Sequence, residues 1–277
     1  MEIAFSDFKK IPIDSLSDIW DIPDFQEIIY LNLLTNNLPD LTSFKNLKTL
    51  VSTFNNLEVL PEVLPENLEV LILNSNNFKE IPDQIYSLKN LHTLLMSYNK
   101  ITAIPSKIKN LNKLKKLSLS NNLISEISKD IGKLENLEDI NLKHNNIYSL
   151  PNSFSNLTKL KNIDLAYNNI KKLPSRIDKL ENLVDINMND NLISHLPKAL
   201  GKLQKLRKLF FSNNKICLIH KSLNNLKNLQ VLCLINNDIK NADVFNNNNK
   251  LFLTNEDTHK IMSIIETEIA LIKYNLD

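Results

Sequence analysis

The chain has 277 residues, a formal net charge of +2, 43% hydrophobic residues, two Gly and two Cys. Charge this close to balance gives no bulk attraction to nucleic acid or an anionic membrane, and Cys217 and Cys233, without a CxxC pair, build neither a disulfide framework nor a four-ligand zinc site. No run of 18 apolar residues is present, so no membrane-spanning helix is expected.

In chain order, the opening MEIAFSDFKK lacks the basic start and apolar core of a signal peptide, so no cleavable leader is expected. Residues 1–27 follow no repeating pattern. They carry Phe5, Phe8, Ile11, Leu16, Ile19, Trp20 and Phe25, enough apolar surface to form an N-terminal cap.

From Ile28 the pattern LxxLxLxxNxL takes over. Its copies start at Ile28, Leu47, Leu68, Leu91, Leu114, Leu137, Leu160, Leu183, Leu206 and Leu229. The first two intervals are 19 and 21 residues; the other seven are all 23. A fixed period of this length marks a solenoid, in which one copy cannot bury its apolar face alone and stacking supplies the core. Within each copy the LxLxx stretch alternates with period two, so positions four and six point inward and positions three and five outward from a short strand. Position nine is Asn in every copy, from Asn36 and Asn55 to Asn214 and Asn237. An amide where the chain leaves the strand can bond backbone groups that would otherwise be buried unpaired. All ten are therefore expected to be structural, and with so few Gly, Asn is expected to supply the turns.

These residues resemble those of leucine-rich repeat proteins, and the resemblance covers residues 28–245, or ten copies. The Ile/Leu-Pro pairs 81–82, 104–105, 150–151, 173–174 and 196–197 are similar to the short intracellular, Ras-group-like repeats of bacteria, plants and animals. The resemblance implies a right-handed curved α/β solenoid with a concave parallel β-sheet of about ten strands and a short helical or irregular convex side. Departures are Ser52 at position six, and Ser128 and His220 in place of the Pro. After the polar FNNNNK stretch, residues 246–277 are expected to form a C-terminal capping helix. Thr254 and Asp257 stand at capping-box spacing, and Ile261, Ile264, Ile265, Ile269 and Ile272 recur at helical spacing.

Chemistry is sparse. His195 and His220 fall on the return path, His259 in the C-terminal cap, and His92 and His144 near the inner face; none has a marked nucleophile beside it. There is no Gly-rich phosphate loop, HExxH or EF-hand spacing. No catalytic residue, cofactor or metal site is expected.

The outward columns carry more information. The first strands offer Tyr30, Val51, Phe54, Val70, Ile72, Leu95 and Tyr98, an apolar and aromatic zone. The middle is acidic and amide-rich, with Asp139, His144, Asp164, Tyr167, Asp185 and Asp190, and Phe210 follows among basic residues. Scattered outward apolar residues can simply favour strands, but a contiguous patch on an exposed face marks an interaction site. The expectation is a non-catalytic, monomeric module that binds a protein or peptide partner on its concave face, in the cytoplasm and without membrane insertion. Two other readings remain. One is an effector exported without a leader, or a recognition subunit for a separate ubiquitin-ligase or signalling enzyme, suggested by the LPENLEVL stretch at 64–71. The other is calcium or glycan binding through the acidic middle, for which oxygen ligands are suited.

Overall fold

The computed structural model describes residues 1–4, 10–12, 19, 22, 24–241 and 251–252. Its strands are β1 (Glu2–Ala4), β2 (Lys10–Pro12), β3 (Tyr30–Asn32), β4 (Thr49–Val51), β5 (Val70–Ile72), β6 (Thr93–Leu95), β7 (Ala103–Ile104) and β8 (Lys116–Ser118). They continue as β9 (Glu126–Ile127), β10 (Asp139–Asn141), β11 (Asn162–Asp164), β12 (Asp185–Asn187), β13 (Lys208–Phe210), β14 (Val231–Cys233) and β15 (Leu251–Phe252). Each of the ten repeat strands occupies positions three to five of its copy. Thirteen strands form one sheet, parallel from β3 to β15, while β7 and β9 make a separate two-stranded parallel ladder on the return side.

The repeat explains the architecture. On every repeat strand from β3 to β13, leaving aside the two-residue β7 and β9, the central residue is buried and its neighbours are more exposed, as period-two alternation requires. The return path tightens into 3-10 turns, among them Asp83–Ser87, Asn152–Asn156 and Lys198–Lys202. These drive Ile85, Phe154 and Leu200 back against the strands, closing one continuous core. Where Pro stands before the turn no side chain caps it, but in the two exceptional copies one does. Ser128 Oγ accepts the Asp130 N–H at 3.2 Å, and His220 Nδ1 accepts the Ser222 N–H at 3.1 Å. Neither departure breaks the path because each supplies a cap.

The position-nine amides bind coil to coil. Asn145 Nδ2 donates to Leu142 O of its own coil and to Leu119 O of the preceding one, both at 3.0 Å, while its Oδ1 accepts the Ile124 N–H at 2.9 Å. The same set recurs at Asn99, Asn122, Asn168, Asn191, Asn214 and Asn237. Asn76 repeats it with Ser52 O, whose hydroxyl sits in the short copy and accepts the Asn55 amide at 2.7 Å. The expectation fails at Asn36, which is exposed and meets only Asn56 Nδ2 at 3.4 Å. No parallel coil precedes it; the neighbour of β3 on that side is the antiparallel β1.

The turn itself is also not where it was expected. Positive φ falls at position eight, at Phe54, Ser75, Tyr98, Asn121, His144, Tyr167, Asp190, Asn213 and Asn236, so Asn fills it in three of nine copies. Both glycines serve close approach instead. A Cβ on Gly132 would stand 2.3 Å from Ser153 O, and one on Gly201 2.2 Å from Ser222 O, where the next coil passes.

At the N-terminal end, the β1–β2 hairpin pairs antiparallel with β3, and Ile3, Ala4 and Ile19 are buried over the first coil. Phe25 meets Phe44 edge to face at 5.6 Å. Phe5, Phe8, Leu16 and Trp20 lie outside the described residues, as does the helix expected from Thr254 onward.

Asn145→Ala orphans one N–H and two carbonyls in the middle of the stack. It is expected to lower unfolding stability by about 3 kcal/mol in urea titration, whereas Asn36→Ala should change it by less than about 0.5 kcal/mol.

Candidate protein-binding face

Register turns the outward positions into two continuous rows across the sheet. Asn32, Val51, Ile72, Leu95 and Ser118 are paired neighbours, and the row continues through Asn141, Asp164 and Asn187 to Phe210. Tyr30, Thr49, Val70, Thr93, Lys116, Asp139, Asn162, Asp185 and Lys208 form the second row. Val51, Ile72 and Leu95 are half-buried and side by side, with Val70 in the adjacent row. Phe54 and Tyr98 rise at the exits of β4 and β6, 81% and 61% exposed.

Further along, an open trough of about 650 Å³ runs from Leu95 on β6 to Phe210 on β13, with Asp139, Asp164 and Asp185 along it and Lys116 and Lys208 flanking them. These acids are not equivalent. Asp139 is bonded to the Asn162 amide. Asp164 Oδ1 accepts the Ala166 N–H at 3.1 Å, as Asn141 and Asn187 accept those of Lys143 and Asn189. That side-chain-to-backbone bond helps end the strand, so the Asx type at position five serves the fold as well. Burial pushes the Asp164 carboxyl up, against the Ala166 N–H and the Lys143 charge. Asp185 is also pushed up by burial, with Lys208 and Arg207 pulling back; its Oδ2 lies 4.0 Å from Lys208 Nζ and its Oδ1 is buried without a hydrogen bond.

His144 stacks on Tyr167 at 4.1 Å, Lys143 Nζ sits 5.3 Å from the Tyr167 ring centroid, and Asp190 accepts the Asn213 amide at 2.8 Å. All fourteen sequence-predicted residues therefore lie on the sheet face or at the strand exits beside it. Sequence reasoning missed the exposed Leu34, at position seven just past β3, and Leu123, Tyr148 and Leu218 beyond the position-nine Asn, at positions with no repeating apolar signal. Among the described residues no three His, Cys, Asp or Glu gather closely enough to hold a metal ion, and no helix is long and apolar enough to cross a membrane.

The comparisons with known proteins agree with this geometry. The family described as leucine-rich repeat region matches residues 154–251, and the leucine rich repeat family matches 66–124 and 112–170. The chain is a leucine-rich-repeat protein. Among solved structures it is similar to a leucine-rich-repeat protein of Leptospira interrogans at 29% identity, covering 80% of this chain and 69% of that one with a TM-score of 0.57. It is also 29% identical to the ectodomain of the Arabidopsis thaliana membrane receptor kinase GASSHO1/SCHENGEN3, solved in complex with CASPARIAN STRIP INTEGRITY FACTOR 2. There the match covers 82% of this chain but 30% of the ectodomain, with a TM-score of 0.69. An internalin of Listeria monocytogenes is 25% identical over 76% of this chain and 67% of its own, with a TM-score of 0.63. No curated protein matches the chain at a significant level.

The raised carboxyl of Asp185 gives a pH test. A folded-state value above the unfolded one means that this group favours folding below about pH 4 and loses that contribution as pH climbs through the raised value. Asp185→Asn is therefore expected to raise the melting temperature at pH 7, with the gain vanishing below about pH 4 in a calorimetric pH series.

Proposed function

We propose that the concave face is a non-catalytic docking surface for a protein or peptide partner. The partner inserts apolar anchors over Val51, Ile72 and Leu95, between the exposed rings of Phe54 and Tyr98. It lays cationic groups along Asp139, Asp164 and Asp185. Tyr30 and Val70 extend the apolar zone, and His144, Tyr167, Asp190 and Phe210 border the acidic one. Large buried anchors supply most of the affinity in such an interface, while charges set register and association rate.

One observation carries this reading. Phe54, Tyr98, His144 and Tyr167 hold positive φ of 53 to 57°, a conformation that costs a bulky residue about 1–3 kcal/mol. Asn, which tolerates it far better, occupies the same position at Asn121, Asn213 and Asn236. Phe54 and Tyr98 are largely exposed and gain little packing in return, whereas His144 and Tyr167 stack on each other. A use outside the chain accounts for the first pair. The plant ectodomain, solved with its bound factor, supports a recognition role for this architecture. The Ile/Leu-Pro pairs, together with two cysteines not joined in a disulfide, fit a short intracellular repeat and a reducing compartment. Recovery of the chain only from outside the cell would overturn that location.

With a partner identified by affinity purification, Tyr98→Asn is expected to raise stability by about 1 kcal/mol while weakening binding about tenfold by calorimetry. Ile72→Asp combined with Leu95→Asp should abolish capture. Undiminished binding by both variants, folded by circular dichroism, would remove this face from consideration.

A further inference from the structure

The three acids of the trough differ in what the chain itself gives them. Asp139 receives the Asn162 amide. Asp164 receives the Ala166 N–H and the Asn187 amide. Asp185 receives no hydrogen bond among the described residues. Its Oδ1 is buried without a donor, and the Lys208 ammonium stands 4.0 Å from Oδ2, beyond hydrogen-bond reach. The side chain is nonetheless 38% exposed, which leaves Oδ2 as the oxygen open to the trough. The fold does not ask for a carboxylate here. Asn162 holds the paired position on the neighbouring strand, and a charge kept half-buried without donors costs more than a neutral amide.

Register places a second group beside it. Asp185 is paired with Lys208 and Asn187 with Phe210, so Phe210 is the diagonal neighbour of Asp185 across β12 and β13. Phe210 is half-buried, and among the described residues it is the one aromatic ring that lines the trough. A carboxylate next to an aromatic ring suits a guanidinium, whose planar fork binds the acid while its delocalised plane stacks on the ring. A compact, strongly hydrated ammonium uses that pairing less well. We propose that Asp185 and Phe210 together seat one arginine side chain of the partner, Asp185 taking the guanidinium and Phe210 stacking against it. The proposal deepens the docking role above and rests on it. Asp139 and Asp164, already bonded within the chain, shape the field along the trough, and Asp185 fixes the one group that must be present.

Small probes test the seat without the partner. Nα-acetyl-arginine amide, titrated into the full chain, should move the Asp185 carboxyl carbon resonance saturably, a signal identified by its absence in Asp185→Asn. Nα-acetyl-citrulline amide, of nearly the same shape but neutral, should leave it in place, and the lysine analogue should bind several-fold more weakly. Phe210→Leu, with folding checked by circular dichroism, should weaken the arginine probe several-fold. Equal binding of the lysine or citrulline probe would overturn the inference. So would a loss from Asp139→Asn matching that from Asp185→Asn, since that marks general attraction to the acids. If the arginine probe gives no saturable shift while Ile72→Asp with Leu95→Asp still abolishes partner capture, the seat falls and the docking face stands. Capture undiminished by Ile72→Asp with Leu95→Asp removes the docking role itself.

Discussion

A single amide holding three backbone groups in two successive coils is the constraint on which the rest depends. A carbonyl at position six, the carbonyl of the coil before and an N–H beyond the preceding coil's own Asn all end in the interior, where an unpaired group costs about 1–3 kcal/mol. Neither the strand ladder nor the 3-10 turns reach them. Asn can, because its side chain offers two donors and an acceptor at one short reach. Because the bonds run between coils, each amide also ties one coil to the next, across the 21-residue interval at Asn76 as across the 23-residue ones.

The same constraint forces the display residue into being. For position nine to turn inward, the chain reverses at position eight through positive φ, which throws the position-eight side chain outward at the rim of the sheet. The structural and the displayed position are therefore adjacent along the chain and opposite in demand. Position nine admits one residue type. Position eight carries Phe, Ser, Tyr, Asn, His and Asp in different coils, and the strain of the bulky ones is tolerated because the neighbouring amides over-determine the path.

That division explains what could be read from the sequence. Strand positions, the buried column and the amide ladder were legible because each depends on residue type at a fixed spacing within one copy. Asn36 was not, since its role depends on a neighbour that the first copy lacks. Nor was the β1–β2 hairpin, whose three-residue strands carry too few side chains for a periodic signal. The caps at Ser128 and His220 read as defects in the pattern, although each replaces the ring geometry of Pro with a side-chain acceptor. The fourteen face residues were legible as a column, but not the double service of Asp164. Its oxygen ends a strand while its charge faces the trough.

The acids elsewhere show by contrast what is unusual about that trough. Away from the trough, Glu138 at the entry to β10 and Asp178 on the return path are held below the ordinary carboxylate range by hydrogen bonds to Lys161 and Lys202, and their charges are already answered within the chain. On the concave face, burial pushes Asp164 and Asp185 the other way, and the nearby lysines only partly offset it. A cationic group arriving from outside would offset there the burial that disfavours the charged form. The trough lies between an apolar zone on β4–β6 and a basic border at Lys208. The face thus has polarity along its length.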